Sequence, residues 1–199
     1  MVKQINIGVI GLQGAISEHI FSMKNALKEE NILGNVINVK NKNQLKNIQG
    51  LIIPGGESTT ISRLIYKFDL IKEIKKRTEN NDLALMGTCA GCVILADKII
   101  DNKKDIKLLN LMDMSVCRNY FGSQKKSFEK KINIEGFNNS YNAIFIRAPI
   151  IEEVWGDCKV LSEINNKIVM ARQNNFLALS FHPELTDDFR IHKYFLNMI

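Results

Sequence analysis

The chain has 199 residues, of which 45% are hydrophobic, 24% charged and 8% aromatic. That composition suits one globular domain over residues 1–199 and excludes bulk disorder. The net charge is +6, but the lysines are scattered among Asn and Glu, as in KNKNQLKN and DNKKDIK, with no aromatic interleaving. This argues against a nucleic-acid surface.

INIGVIGL (5–12) is a short apolar run ending in glycine and predicts a buried strand. In AISEHIFSMKNALKEE (15–30), Ile16, Ile20, Met23 and Leu27 share one helical face. NVINVK (35–40) reads as a strand, and GLIIPGG (50–56) as a buried strand meeting a Pro-Gly-Gly turn. ESTTISRLIYKF opens a helix, with Ser and Thr placed to cap it, and DLIKEIKKRTEN continues helical. LALMG (83–87) reads as a strand and CVILADKI (92–99) as a helix. This β-α-β-α order implies a parallel sheet with helices on both faces.

The second half changes character. KKINIEG, AIFIRAP, KVLSEIN, KIVMARQ and FLALSFHP are short strands at close spacing, which predicts antiparallel strands appended to the parallel core. RIHKYFLNMI closes the chain as a helix. The expected fold is α/β: a mostly parallel central sheet flanked by helices, flavodoxin-like in three layers, with appended antiparallel strands. The N-terminal apolar run is too short and glycine-broken to cross a membrane, and it lacks the pattern of a secretory signal. The four cysteines therefore read as reduced thiols, and the expected location is cytoplasmic.

The chemistry concentrates in turns. Gly87-Thr88-Cys89-Ala90-Gly91 sits between a strand and a helix, with glycine two residues to each side of a cysteine. A sharp elbow of this kind needs small neighbours and projects its apex side chain above the sheet. The following helix start favours a thiolate, and the Ala90 N–H can donate to an oxyanion. Competing readings are a buried structural thiol, a serine-hydrolase-like elbow with other partners, and a redox pair in Cys89-Ala90-Gly91-Cys92. No second CxxC and no nearby His complete a zinc shell, so no metal is expected.

A nucleophile needs a base. His182 and Glu184 lie two apart in SFHPE, directly after an apolar strand, and suit a base with its orienting acid. His19 and His192 read as surface or packing histidines. Pro54-Gly55-Gly56-Glu57-Ser58 ends another strand; its glycines allow close approach of a ligand, and an N–H of Gly55 or Gly56 could be a second oxyanion donor.

PGGES, GTCAG and HPE in this order resemble the class I glutamine amidotransferases. GLQGAISEH, PGGESTT, GTCAG, RNYFGSQ with a following SFE, FIRAP and SFHPELTDDFRIHKYF together resemble, within that class, the glutaminase subunits of pyridoxal 5'-phosphate synthase. The motifs extend over essentially the whole chain. The resemblance implies a Cys-His-Glu triad of Cys89, His182 and Glu184, with Cys89 forming a glutamyl thioester and Gly56 and Ala90 holding the oxyanion. It implies L-glutamine bound by Gly56, Glu57, Ser58, Arg118, Ile146 and Arg147, and a role for Gln13 in coupling to the partner. That partner would be a TIM-barrel synthase subunit in a hetero-oligomeric complex, receiving ammonia through a channel. No cofactor is implied for this chain. Ser123, Asn174-Asn175 and Cys92 depart from the family pattern. The alternatives are a hydrolase or chaperone-like protein with the same elbow, a glutaminase serving another amidotransferase, and a non-catalytic regulatory subunit.

Overall fold

The computed structural model describes residues 4–100, 106–118, 120 and 127–199. The stretch 121–126, which is FGSQKK and holds the departure at Ser123, lies outside them, as does Asn119.

Four parallel strands open the sheet: β1 (Ile5–Ile10), β2 (Gly34–Val39), β3 (Gly50–Ile53) and β4 (Ala84–Thr88). They are joined by α1 (Ile16–Glu29), the short α2 (Lys42–Leu45), α3 (Ser58–Lys67) and α4 (Leu70–Glu79). After β4 come α5 (Ala90–Leu95), β5 (Ala96–Ile99), β6 (Met112–Cys117) and β7 (Ser127–Ile132). Then follow β8 (Tyr141–Ile146), β9 (Ile150–Val154), β10 (Lys159–Ile164), β11 (Lys167–Gln173) and β12 (Phe176–Leu179). A 3-10 turn at Pro183–Leu185 and α6 (Arg190–Leu196) complete the chain.

The sheet order is β2-β1-β3-β4-β12-β11-β9-β6-β5, with β10 paired to β11 and a separate hairpin of β7 and β8. The expected α/β architecture is present: a parallel core, helices on both faces and antiparallel additions. One placement differs. FLAL does not belong wholly to the antiparallel set: β12 runs parallel to β4, and only its other edge pairs antiparallel, with β11. Its unbroken burial is that of a central strand covered on both faces.

Other differences have local causes. The helix expected over 92–99 stops at Leu95, and Ala96–Ile99 becomes a strand pairing with β6. An apolar run this short carries no decisive period, so pairing decides its state. β6, with Met, Asp, Ser and Cys, has weak strand propensity and was not expected. β9 also goes unanticipated, because AIFIRAP looks like one strand through Pro149. In fact Arg147 turns left-handed at φ 45° and separates β8 from β9. The start of α3 is capped by the Glu57 carboxylate accepting from Thr59 N–H, not by Ser58 or Thr59.

Alternate residues of each central strand feed opposite faces. Ile10, Leu51, Ile53 and Leu85 pack with Ile61 and Ile65 of α3 and Leu70 and Ile74 of α4. Ile7, Val9, Ile52 and Met86 pack with Met23 and Leu27 of α1, Ile191 and Phe195 of α6, and Phe145 of the hairpin. The α1–α6 layer also encloses His19 and His192, both with no exposed surface. These are packing histidines in the core, not surface groups.

Two predictions follow from this packing. Ile52→Ala, at a site with no exposed surface, should cost about 2–5 kcal/mol. Leu33→Ala, where the leucine is 58% exposed, should stay within about 0.5 kcal/mol. Urea unfolding with an unchanged slope would measure both. The second concerns acid. Burial, with His19 beside it, pushes His192 down to about 3, and burial lowers His19 as well. The unfolded chain takes up these protons near 6.5 and the folded chain does not. Stability from them is therefore complete above pH 6.5 and is lost as pH falls toward 3, at up to about 1.4 kcal/mol per pH unit for one group. Removing the imidazole in His192→Leu should flatten that limb of the stability-against-pH curve; an unchanged slope would contradict the assignment.

Candidate active site

The carboxyl ends of β3, β4 and β12 lie side by side. Ile53 pairs with Gly87, and Thr88 with Leu179. The chain leaving each strand therefore emerges at one rim, where ligands bind in open α/β sheets.

From β4 emerges Cys89, held at φ 47°, ψ −99°. A non-glycine residue in that region costs on the order of 1–3 kcal/mol. The surroundings enforce it: Cys89 N–H donates to Leu179 C=O at 2.8 Å, tying the elbow to β12. A Cβ on Gly91 would collide with the Ile53 carbonyl, and one on Gly87 would lie 2.5 Å from the Gly91 backbone. The glycine bracket is thus a steric requirement of the turn. Ala90 begins α5, so its N–H has no acceptor within the helix.

From β12 emerges His182, whose own N–H is bonded to Ile144 C=O at 2.8 Å. Its Nδ1 lies 2.7 Å from Glu184 Oε1. The intervening Pro183 starts the 3-10 turn that folds the carboxylate back beneath the ring. Burial acts to lower the His182 pKa. Hydrogen bonds with Cys89 and Glu184 and their negative charges outweigh burial, and the pKa is pushed up to about 10. Burial acts to raise Glu184, but His19, His182 and its own backbone N–H hold it below the ordinary carboxylate value. The three residues are each less than a tenth exposed.

From β3 emerges PGGES. A Cβ on Gly55 would strike the His182 ring, so only glycine lets this loop lie against the imidazole. The loop is strapped by GLQGA: Ala15 N–H donates to Gly55 C=O at 3.0 Å, and Glu57 N–H donates to Gln13 Oε1 at 2.9 Å. Gln13 therefore sits against Gly56, behind the rim.

A cavity of about 170 Å³ opens here, lined by Gly56, Glu57, Ser58, Cys89, Ala90, Val93, Arg118, Ile146, Arg147, Pro149 and His182. It gathers every sequence-predicted site residue except Glu184, which stands behind His182, and Gln13, which stands behind Gly56. Arg118 and Arg147 bring two cations to the lining, with Arg118 3.8 Å from the Glu57 carboxylate. The Cys89 thiol lies 3.8 Å from the Ile146 carbonyl. Sequence reasoning missed Val93 and Pro149. Val93 is one helical turn from Cys89, and Pro149 ends the IRAP motif; both spacings could have placed them.

The redox reading of Cys89 and Cys92 gains nothing from the geometry. Cys92 faces the core with no exposed surface, and burial, with the neighbouring thiols, drives its pKa far upward. Burial also raises Cys158, to about 11. None of the four cysteines is in a disulfide. Among the described residues, no group of three or more His, Cys, Asp or Glu is placed to hold a metal, and no helix is long and apolar enough to cross a membrane.

What is missed is the depth of the site. His19 and His192, set aside as packing groups, lie directly behind Glu184: His19 Nε2 is 3.3 Å from Glu184 Oε2, and His19 Nδ1 is 3.3 Å from His192 Nε2. The local signal available was GLQGAISEH itself, which carries a histidine on the buried face of α1.

Comparison with known proteins agrees with the sequence resemblance. The chain is 46% identical to the pyridoxal 5'-phosphate synthase subunit PdxT of Methanococcoides burtonii, covering 98% of this chain and 99% of that one. It is 47% identical to the protein of the same name from Pyrococcus furiosus, covering 98% and 99%. A solved structure described as a glutamine amidotransferase superposes with a TM-score of 0.86 at 41% identity, covering 96% of this chain and 97% of that one. The profile of the SNO glutamine amidotransferase family matches residues 9–199, and the chain belongs to that family.

Proposed function

We propose that this chain is the glutaminase subunit of a pyridoxal 5'-phosphate synthase, hydrolysing L-glutamine to glutamate and ammonia. The reading rests above all on one observation: Cys89 and His182 face the same cavity, with Glu184 2.7 Å behind the imidazole.

Cys89, paired with a protonated His182, attacks the side-chain amide carbon as a thiolate. The carbonyl oxygen becomes an oxyanion held by N–H groups of Ala90 and Gly56. Collapse of the tetrahedral intermediate breaks the C–N bond, and His182 gives its proton to the departing nitrogen, which leaves as ammonia. A glutamyl thioester remains on Cys89. Water then adds to it, His182 takes the water proton, and C–S cleavage releases glutamate and restores the ion pair. Glu184 fixes the ring with Nδ1 protonated and steadies its positive charge.

Substrate binding follows from the lining. Arg118 and Arg147 suit the α-carboxylate of an amino acid, and Glu57 suits its ammonium group. Ser58, Gly56 and Ile146 frame the side chain.

The ammonia passes to a TIM-barrel synthase subunit in a hetero-oligomeric complex. Gln13 supports this coupling: it accepts from Glu57 N–H and packs on Gly56, so a partner that moves the GLQGA loop moves the oxyanion donor with it. We assign the chain one glutaminase domain and, from its thiols, a reducing cytoplasmic location.

The test is glutamate release from L-glutamine, with and without the barrel subunit. Wild type is expected to be slow alone and faster in the complex, and Cys89→Ala inactive in both. Arg147→Ala is expected to raise KM about tenfold or more with a smaller change in kcat. Because His182 keeps its proton up to about pH 10, activity should fall on the alkaline side as that proton is lost. Full activity in Cys89→Ala would overturn the triad. No hydrolysis by wild type in either state would favour a regulatory, non-catalytic subunit.

A further inference from the structure

The Glu184 carboxylate has two oxygens, and His182 uses only one. Oε2 is buried without an aligned hydrogen bond, and His19 Nε2 stands 3.3 Å from it. The same nitrogen lies 2.9 Å from Thr88 Oγ1, on the residue immediately before Cys89. On the other side of the ring, His19 Nδ1 lies 3.3 Å from His192 Nε2. His192 Nδ1 has no partner among the described residues. Four elements thus meet at one point: the end of β4, α1, α6 and the turn after β12.

The positions of the protons follow from the contacts. If His19 carries its proton on Nδ1, Nε2 accepts from the Thr88 hydroxyl at 2.9 Å, but its lone pair also faces a carboxylate oxygen at 3.3 Å, which is repulsive. His192 Nε2 must then accept, so its proton moves to Nδ1, leaving a buried N–H with no acceptor. If His19 carries its proton on Nε2, that N–H faces Thr88 Oγ1 and Glu184 Oε2 together. Nδ1 accepts from His192 Nε2–H, and the unpartnered atom of the two rings is a bare nitrogen, the less costly defect. A second proton on His19 is opposed by burial. The titratable groups facing this cluster are His182 and Glu184 from the turn, Glu18 on α1, His192 on α6 and Tyr141 on β8.

We propose that His19 is a positioning residue for the Cys89–His182–Glu184 relay: its neutral ring presents an Nε2–H to Glu184 Oε2, with His192 favouring that tautomer from the far side of the ring, and so keeps the carboxylate turned with Oε1 on His182. The consequence for turnover rests on the glutaminase reading above; the proton arrangement does not.

Two amide substitutions separate this role from mere packing. Glutamine places an amide nitrogen near the position of Nε2, whereas asparagine reaches only as far as Nδ1. Both variants are assayed for glutaminase activity in complex with the barrel subunit. The His182 titration is followed on each full-length chain by 15N NMR of labelled histidine. His19→Asn is expected to lose kcat about tenfold or more with KM unchanged, and its His182 midpoint to fall as Glu184 loses its hold. His19→Gln is expected to restore both toward wild type. Equal kcat and equal His182 midpoints in the two variants would overturn the proposal. So would a wild-type spectrum in which His19 Nε2 is bare, a measurement that needs no variant to fold. If wild type releases no glutamate in the complex, the glutaminase reading fails alone, and the NMR arm still decides the role of His19.

Discussion

The pairing of β12 with β4 is the constraint on which the site depends. These strands are 88 residues or more apart in sequence, yet Leu179 opposes Thr88 and the Leu179 carbonyl receives the Cys89 N–H. Any slip of register by one residue would turn β12 over and send its apolar side chains to the wrong faces. It would also remove His182 from the neighbourhood of Cys89. The core enforces the register: Leu177 and Leu179 belong to the α1–α6 face, while Phe176 and Ala178 belong to the α3–α4 face. The packing that stabilises the fold thus sets where Cys89 stands relative to His182.

The strained elbow is tolerable for the same reason. Cys89 sits in a backbone region that costs on the order of 1–3 kcal/mol, and it is flanked by two of the best-buried strands in the molecule. Gly87 and Gly91 remove the Cβ atoms that would otherwise separate β4, α5 and β3. The strain is therefore local, while the contacts that offset it spread over the sheet. A second left-handed residue, Arg147, also lines the cavity. It is the point where β8 ends and the chain crosses to β9, so the cavity is shaped at two points by residues in conformations that regular strands do not use.

How much of this was legible follows from which signals are local. The PGGES turn, the glycine-bracketed cysteine and the His-Pro-Glu turn each declare themselves within five residues, because steric and capping demands act over that range. The first four strands and helices α1, α3 and α4 are also readable from their apolar periods, whereas the four-residue α2, held by the Asn41–Gln44 capping box, is too short to show one. The role of FLAL as a parallel central strand was not, because antiparallel and parallel strands differ in partners and not in composition. β6 and the extension at Ala96–Ile99 were hidden for a related reason: their strand character comes from each other. His19 carries no local mark beyond its place on the buried face of α1, and His192 none beyond the same on α6. Their meaning lies in a contact between residues 173 positions apart.

Polar atoms without partners are distributed unevenly, and their positions bear on how the molecule divides stability from function. Among the described residues, buried side-chain atoms lacking a hydrogen bond include Glu184 Oε2, His192 Nδ1, Ser180 Oγ, Ser22 Oγ and Thr59 Oγ1. Ser180 is two residues before His182, Ser22 is one turn beyond His19 on α1, and Thr59 opens the helix after PGGES. Each such atom costs stability relative to a satisfied or apolar one. A fold optimised only for stability would replace them, as it replaces polar groups along β1 and β3 with Ile, Val and Leu. Asn38 Oδ1 on β2 and Ser115 Oγ on β6 lie elsewhere in the sheet, but Glu184 Oε2 and His192 Nδ1 belong to one buried cluster behind the carboxyl ends of β4 and β12, where local rules give way to the placing of a charge. A carboxylate that must stay ionised in the core needs donors around it, and donors that serve only that carboxylate leave defects on their far sides. His192 Nδ1 is such a defect, three groups removed from the cavity.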